Sequence, residues 1–133
     1  MKEWSEKSLD AEGYKLMNAE ITCVSLNFRD HGVLTLDLSL SGGGWGCVYG
    51  GYVLGNGYLG SREFKGSASG LEAIMRIMDV VGADDLIEMK GKHVRVATKG
   101  LGHSVKIIGN FIKDEWFDYE SFFEDEKPPF VED

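Results

Sequence analysis

The chain has 133 residues, 43% apolar and 11% aromatic, enough for one domain with a core of its own. No apolar run approaches the ~18 residues of a membrane helix and no basic start leads into an apolar stretch, so neither a span nor a signal peptide is visible and a cytoplasmic protein is expected. The net charge of −8 is local: nine acids and one base, Lys127, lie from Asp114 on, and the 22 acids and 14 bases leave thirteen of each in residues 1–113.

Residues 1–14 are polar and unpatterned, a mobile arm or a short helix. Val24, Leu26 and Phe28 then alternate with Cys23, Ser25 and Asn27, and Leu34, Leu36, Leu38 and Leu40 alternate with Thr35, Asp37 and Ser39. Period-two alternation predicts two strands with one buried face, closed into a hairpin by RDHG at 29–32. The stretch GGGWGCVYGGYVLGNG at 42–57 holds eight of the 18 glycines yet keeps Trp45, Tyr49 and Tyr52, and its CVYGGYVL portion predicts a third strand.

The period changes at SASGLEAIMRIMDVVG. Leu71, Ile74, Met75, Met78 and Val81 form one helical stripe, Ser69 with Glu72 makes a capping box, and Gly82 ends the helix. DDLIEMKG predicts a short second helix capped by Asp84 and stopped at Gly91. HVRVA and SVKIIGNFI predict two more strands joined by the KGLG turn. Strands, helix, strands without β-α-β repetition predict α+β: a single domain over 1–133, an antiparallel sheet with one main helix packed on it. The acidic tail from Asp114 on, 119–133 included, carries Trp116, Phe117, Tyr119, Phe122 and Phe123, aromatic residues that pack on something, with Pro128 and Pro129 ending ordered structure.

Chemistry-bearing patterns are few. GNGYLG at 55–60 spells the dinucleotide fingerprint, but no helix opens inside it, and a hairpin turn through GNG explains the same letters. His31, His93 and His103 stand singly without metal-ligand spacing, and no nucleophile elbow or carboxylate pair is present, so neither a metal nor catalysis is expected. Cys23 and Cys47 read as small buried hydrophobes. A binding constellation remains. Glycines such as Gly50 and Gly51 let a backbone approach a ligand, an aromatic left among them offers a face to a base, and Arg76 and Arg95 carry planar forks suited to phosphate oxygens. The alternative is that Arg76 pairs with Glu72 on a wet helix face, Arg95 is an exposed strand residue and the glycines are bulges.

The series DHGVLTLDLSL, GGGWGCVYGGYVLG, GLEAIMRIMDVVGADDLIEMKGKHVRV and IIGNFIKDEWF resembles small phage proteins with a GGYxL segment and a GK-VRV segment, over roughly residues 20–118. Among these it is most similar to the anti-Thoeris sponge family, which sequesters the cyclic ADP-ribose signal of bacterial TIR-domain immune enzymes. The resemblance implies an adenine-stacking ring at Tyr49, phosphate-binding arginines at Arg76 and Arg95, a contact at Asn56, no cofactor, and symmetric oligomers acting in the host cytoplasm. It implies uptake of a cyclic ADP-ribose isomer without cleavage, and no nucleic-acid polymer or membrane as partner. Two other functions fit the residues: an acidic protein-binding inhibitor of anti-CRISPR or DNA-mimic type working through its tail, and an enzyme using His93 or His103 as acid or base.

Overall fold

The computed structural model describes residues 1–30, 32–57, 63–100 and 102–125. His31 of the RDHG turn, positions 58–60 of GNGYLG, Leu101 of KGLG and the proline-bearing end of the tail lie outside them. The described residues form eight strands and three α-helices, an α+β fold built on an antiparallel sheet. None of the described helices is long and apolar enough to cross a membrane.

The long hairpin is the centre of the sheet. β1 (Lys15–Asp30) pairs with β2 (Val33–Gly42), setting Val24 opposite Leu38 and Leu26 opposite Leu36. Leu36 and Leu38 are buried, whereas Leu26 is 44% exposed, contrary to the expectation of one buried face along the whole strand. A register shift between Ile21 and Cys23 turns Cys23 onto the open face, opposite Ser39. Cys23 is therefore exposed, contrary to the expectation of two buried cysteines, while Cys47 is half-buried and burial pushes its thiol pKa up.

The glycine-rich stretch shares one edge of β2 between two strands. β3 (Trp45–Gly50) pairs with Asp37–Gly42 of β2, and β4 (Gly55–Gly57) pairs with Val33 and Leu34. Between them the chain leaves the edge at Gly50 and Gly51, whose φ values are +137° and +84°. A Cβ at Gly50 would also overlap the Leu36 carbonyl oxygen. These glycines serve a break in strand pairing. GNG is the strand β4, not a hairpin turn, and it pairs with β5 (Phe64–Gly66). On the other side of β1 follow β6 (His93–Thr98), β7 (Ile107–Asn110) and β8 (Trp116–Asp118), giving the order β5-β4-β2-β1-β6-β7-β8. β8 falls in a segment where no strand is expected from the sequence.

The main helix, α2 (Ala68–Val81), begins two residues earlier than the Ser69 box implies: Ser67 is the cap, its hydroxyl accepting from the Gly70 N–H at 2.9 Å. Gly82 ends it at φ +83°, as expected. The buried face differs from the expected stripe. Gly70, Ala73, Ile77, Val80 and Val81 face the sheet, whereas Leu71 and Met75 are each 63% exposed. Small residues win because the helix lies against the β3–β4 connection, where a Cβ at Gly70 would overlap the Leu54 carbonyl. The expected second helix is a single 3-10 turn, Ile87–Met89, and Asp85 rather than Asp84 accepts from its first amide.

The two ends of the chain complete the packing. The N-terminal segment is a short helix, α1 (Glu6–Ala11), in which Ser5 and Ser8 cap each other reciprocally. Its Leu9 is fully buried against Ala97 and Ile107, a small core on the sheet face opposite α2. The acidic segment begins as α3 (Tyr119–Asp125), whose Tyr119, Phe122 and Phe123 join Tyr49, Tyr52 and Phe117 in one aromatic cluster of the main core. Residues 119–125 are thus core structure. The Tyr119 hydroxyl is buried without a hydrogen-bond partner among the described residues, and burial raises its pKa, as it raises that of Tyr52 to about 12.

Candidate functional site

The four side chains that the resemblance assigns to a nucleotide are spread over distant parts of the fold. Tyr49 is 0% exposed; its hydroxyl donates to the Phe117 carbonyl at 3.3 Å and its ring lies 5.5 Å from that of Tyr119. Such a ring has no face to offer a base within one chain. It is inward because Tyr49 sits opposite Leu38 on β3, on the same face as the leucines of β2. Gly51 turns its N–H onto the Asp37 carboxylate at 2.9 Å, so that amide is occupied too. Asn56 is exposed on β4, beside an apolar groove lined by Phe28, Phe64, Leu71 and Ile74.

Arg95 is neither a free phosphate ligand nor an exposed strand residue. Its Nε donates to the Asn110 carbonyl at 2.9 Å, Nη2 to the Lys113 carbonyl at 2.9 Å, and Nη1 pairs with Glu6 of α1 at 2.6 Å. The guanidinium also lies 4.7 Å from the centroid of the Trp116 ring. Strand register explains the stack. Arg95, Gly109 and Trp116 are successive partners across β6, β7 and β8, and because Gly109 has no side chain the indole crosses over it to reach Arg95.

Of the two arginines, Arg76 is the one with spare donors. Its Nε pairs with Glu72 one turn earlier at 2.7 Å, with both side chains nearly half exposed. Its carbon Cζ sits 5.7 Å from the Phe122 centroid. The terminal nitrogens have no further partner among the described residues and border a cleft of about 330 Å³ at the β8 edge of the sheet. Trp4, Trp116, Lys2, Asp79 and Glu115 share this cleft. The structure therefore brings Arg76 and Trp116 to one opening, with Arg95 on the ring of Trp116, while Tyr49 and Asn56 lie elsewhere.

The cleft has the parts a phosphorylated, base-bearing ligand needs: a guanidinium fork, a second cation at Lys2, and two indoles. Its volume is at the lower end of small-molecule sites. From the sequence Trp116 reads only as a packing residue of the tail, and Trp4 has no role at all. The available signal was a tryptophan in an otherwise polar N-terminal segment and another three residues beyond Lys113, neither placed by the alternating pattern of its neighbours. Among the described residues no group of three or more His, Cys, Asp and Glu side chains is placed to hold a metal. In comparisons with protein-family models, curated proteins and solved structures, none matches this chain.

Proposed function

We propose that the chain is a non-catalytic binding module that takes up a nucleotide-type anion of the cyclic ADP-ribose class and gives it back unchanged, blocking TIR-based anti-phage defence in the host cytoplasm. The observation that carries this reading is the cleft shared by Arg76 and Trp116. The base-stacking role assigned to Tyr49 passes to the half-buried indoles of the cleft, and the phosphate role rests on Arg76 with Lys2. Arg95 contributes by holding Trp116 in place.

Calorimetric titration with cyclic ADP-ribose isomers tests it, followed by heat denaturation and identification of what is released. Arg76→Ala is expected to weaken binding roughly ten- to a hundredfold, the worth of one or two charge-assisted contacts, and Arg76→Lys to recover part of it. Because the Glu72 pair is solvated, the same alanine variant should shift stability by less than about 0.5 kcal/mol. Wild-type affinity in Arg76→Ala refutes the site, and recovery of a cleaved nucleotide refutes the non-catalytic reading. The acidic-inhibitor alternative is separated by removing residues 126–133 alone: an inhibitor working through that tail loses activity, and a binder does not. A cut at 119 would instead remove Tyr119, Phe122 and Phe123 from the core.

The module is also proposed to self-associate. Leu71 and Met75 stand exposed beside Phe64, which is 57% exposed, and the apolar groove next to them. Light scattering at micromolar concentration should give a dimer or larger, and Leu71→Glu with Met75→Glu should reduce it to monomer with an unchanged circular dichroism spectrum. A monomeric wild-type chain would sink this part of the proposal.

A further inference from the structure

The turn between β6 and β7 encloses a second opening, of about 330 Å³, that shares no lining residue with the Arg76 cleft. In a chain of net charge −8, the charged residues lining it, Lys99 and Lys106, are both basic, and His103 lines it beside them. The Thr98 and Ser104 side chains complete a polar wall, and Tyr14, Ala97 and Ile107 give an apolar floor.

Charge compensation inside the pocket is incomplete. The Lys99 ammonium lies 4.7 Å from the centroid of the Tyr14 ring and has no carboxylate partner among the described residues. Lys106 pairs with Glu120 of α3 at 2.8 Å, a bond that raises its pKa and keeps it protonated, and an ammonium has three donors of which this pair uses one. The adjoining groove shares Tyr14, Lys106 and Ile107 but is lined beyond them by Asp118, Glu120 and Glu124. A basic hollow bordered by carboxylates attracts a compact anion and repels a long polyanion.

We propose that this hollow is a separate binding site for a phosphomonoester dianion. The Thr98 hydroxyl is spent on the Gly100 carbonyl at 3.3 Å, but two ammonium groups, an imidazole and the Ser104 hydroxyl still supply more donors than the two oxygens of a carboxylate can use, whereas the three terminal oxygens of a phosphate match them. The apolar floor suits the carbon skeleton of the ester. The site is independent of the Arg76 cleft and stands whether or not that cleft takes a nucleotide.

The test is titration of the full chain at constant ionic strength, followed by amide NMR, with inorganic phosphate, glycerol phosphate and the monoanionic diester dimethyl phosphate. Saturating shifts confined to residues around Thr98–Lys106 are expected from the first two and not from the third. Tighter binding of glycerol phosphate assigns the site to esters, and equal or tighter binding of inorganic phosphate assigns it to the free ion. Lys99→Gln and Lys106→Gln should each weaken binding roughly three- to tenfold, as suits exposed charges, and Glu120→Gln should tighten it by releasing Lys106. Arg76→Ala should leave these titrations unchanged, which keeps this site's failure distinct from that of the nucleotide cleft. Shifts that grow without saturation, equal affinity for dimethyl phosphate, or wild-type affinity in both lysine variants would overturn the assignment.

Discussion

Tyr49→Ala is expected to destabilise the protein by about 3–5 kcal/mol, the usual cost of emptying a buried aromatic site. The ring is fully enclosed and touches Tyr119, which in turn packs on Tyr52, Phe117 and Phe123. Its removal opens a cavity at the centre of that cluster. A loss of this size is a large fraction of the stability of an ordinary domain, so much of the variant should be unfolded at 37 °C. Tyr49→Phe keeps the ring and gives up only the 3.3 Å bond to the Phe117 carbonyl, a cost of about 1 kcal/mol. Urea denaturation followed by tryptophan fluorescence measures both. A Tyr49→Ala variant with a wild-type midpoint and lost nucleotide binding would restore Tyr49 as the base-stacking ring.

Arg95→Ala is expected to cost about 2–3 kcal/mol and to loosen α1 before the rest of the fold. Three guanidinium nitrogens are committed to two parts of the chain, α1 and the 110–113 turn, and the side chain is 14% exposed. The part-buried contact to the Asn110 carbonyl carries most of the effect, whereas the bonds to the Lys113 carbonyl and to Glu6 are exposed and each contribute less. Without Arg95, α1 keeps Leu9 in its small core, the Asp114 carboxylate that accepts from the Glu6 amide, and the bond of the preceding Trp4 indole to Asp118. Arg95→Lys supplies one contact in place of three and should recover less than half. Hydrogen exchange of the α1 amides, with the urea midpoint, reads the result; unchanged exchange and an unchanged midpoint would show that Arg95 does not clamp the helix.

These two residues show where reading the chain reaches its limit. Tyr49 and the leucines of β2 alternate in a way that marks strands, and the strands formed; what alternation leaves open is whether a face meets solvent, a ligand or a helix. The same holds for Arg95. Its place out of line with Val94 and Val96 was legible, but its three acceptors come from α1 and from the 110–113 turn, which are remote in sequence or irregular. In the sequence KGLG reads as a turn and SVK as the start of a strand, because Lys99, His103 and Lys106 gather around a hollow only when Tyr14 and Ile107 supply its floor.

By itself the sequence determined the kinds of element and their order: period-two runs became β1, β2 and β6, a period of 3.6 became α2, and Gly82 stopped that helix. These features depend on backbone geometry within a few residues, which each segment carries with it. Tertiary structure alone decided depth and company. It turned Gly70 and Ala73 inward and left Leu71 and Met75 outside, because the approach of α2 to Leu54 admits no side chain. It drew the aromatic part of an acidic tail into the core and set Arg76 beside Trp116, since burial and site assembly depend on contacts between segments that meet only when the sheet closes.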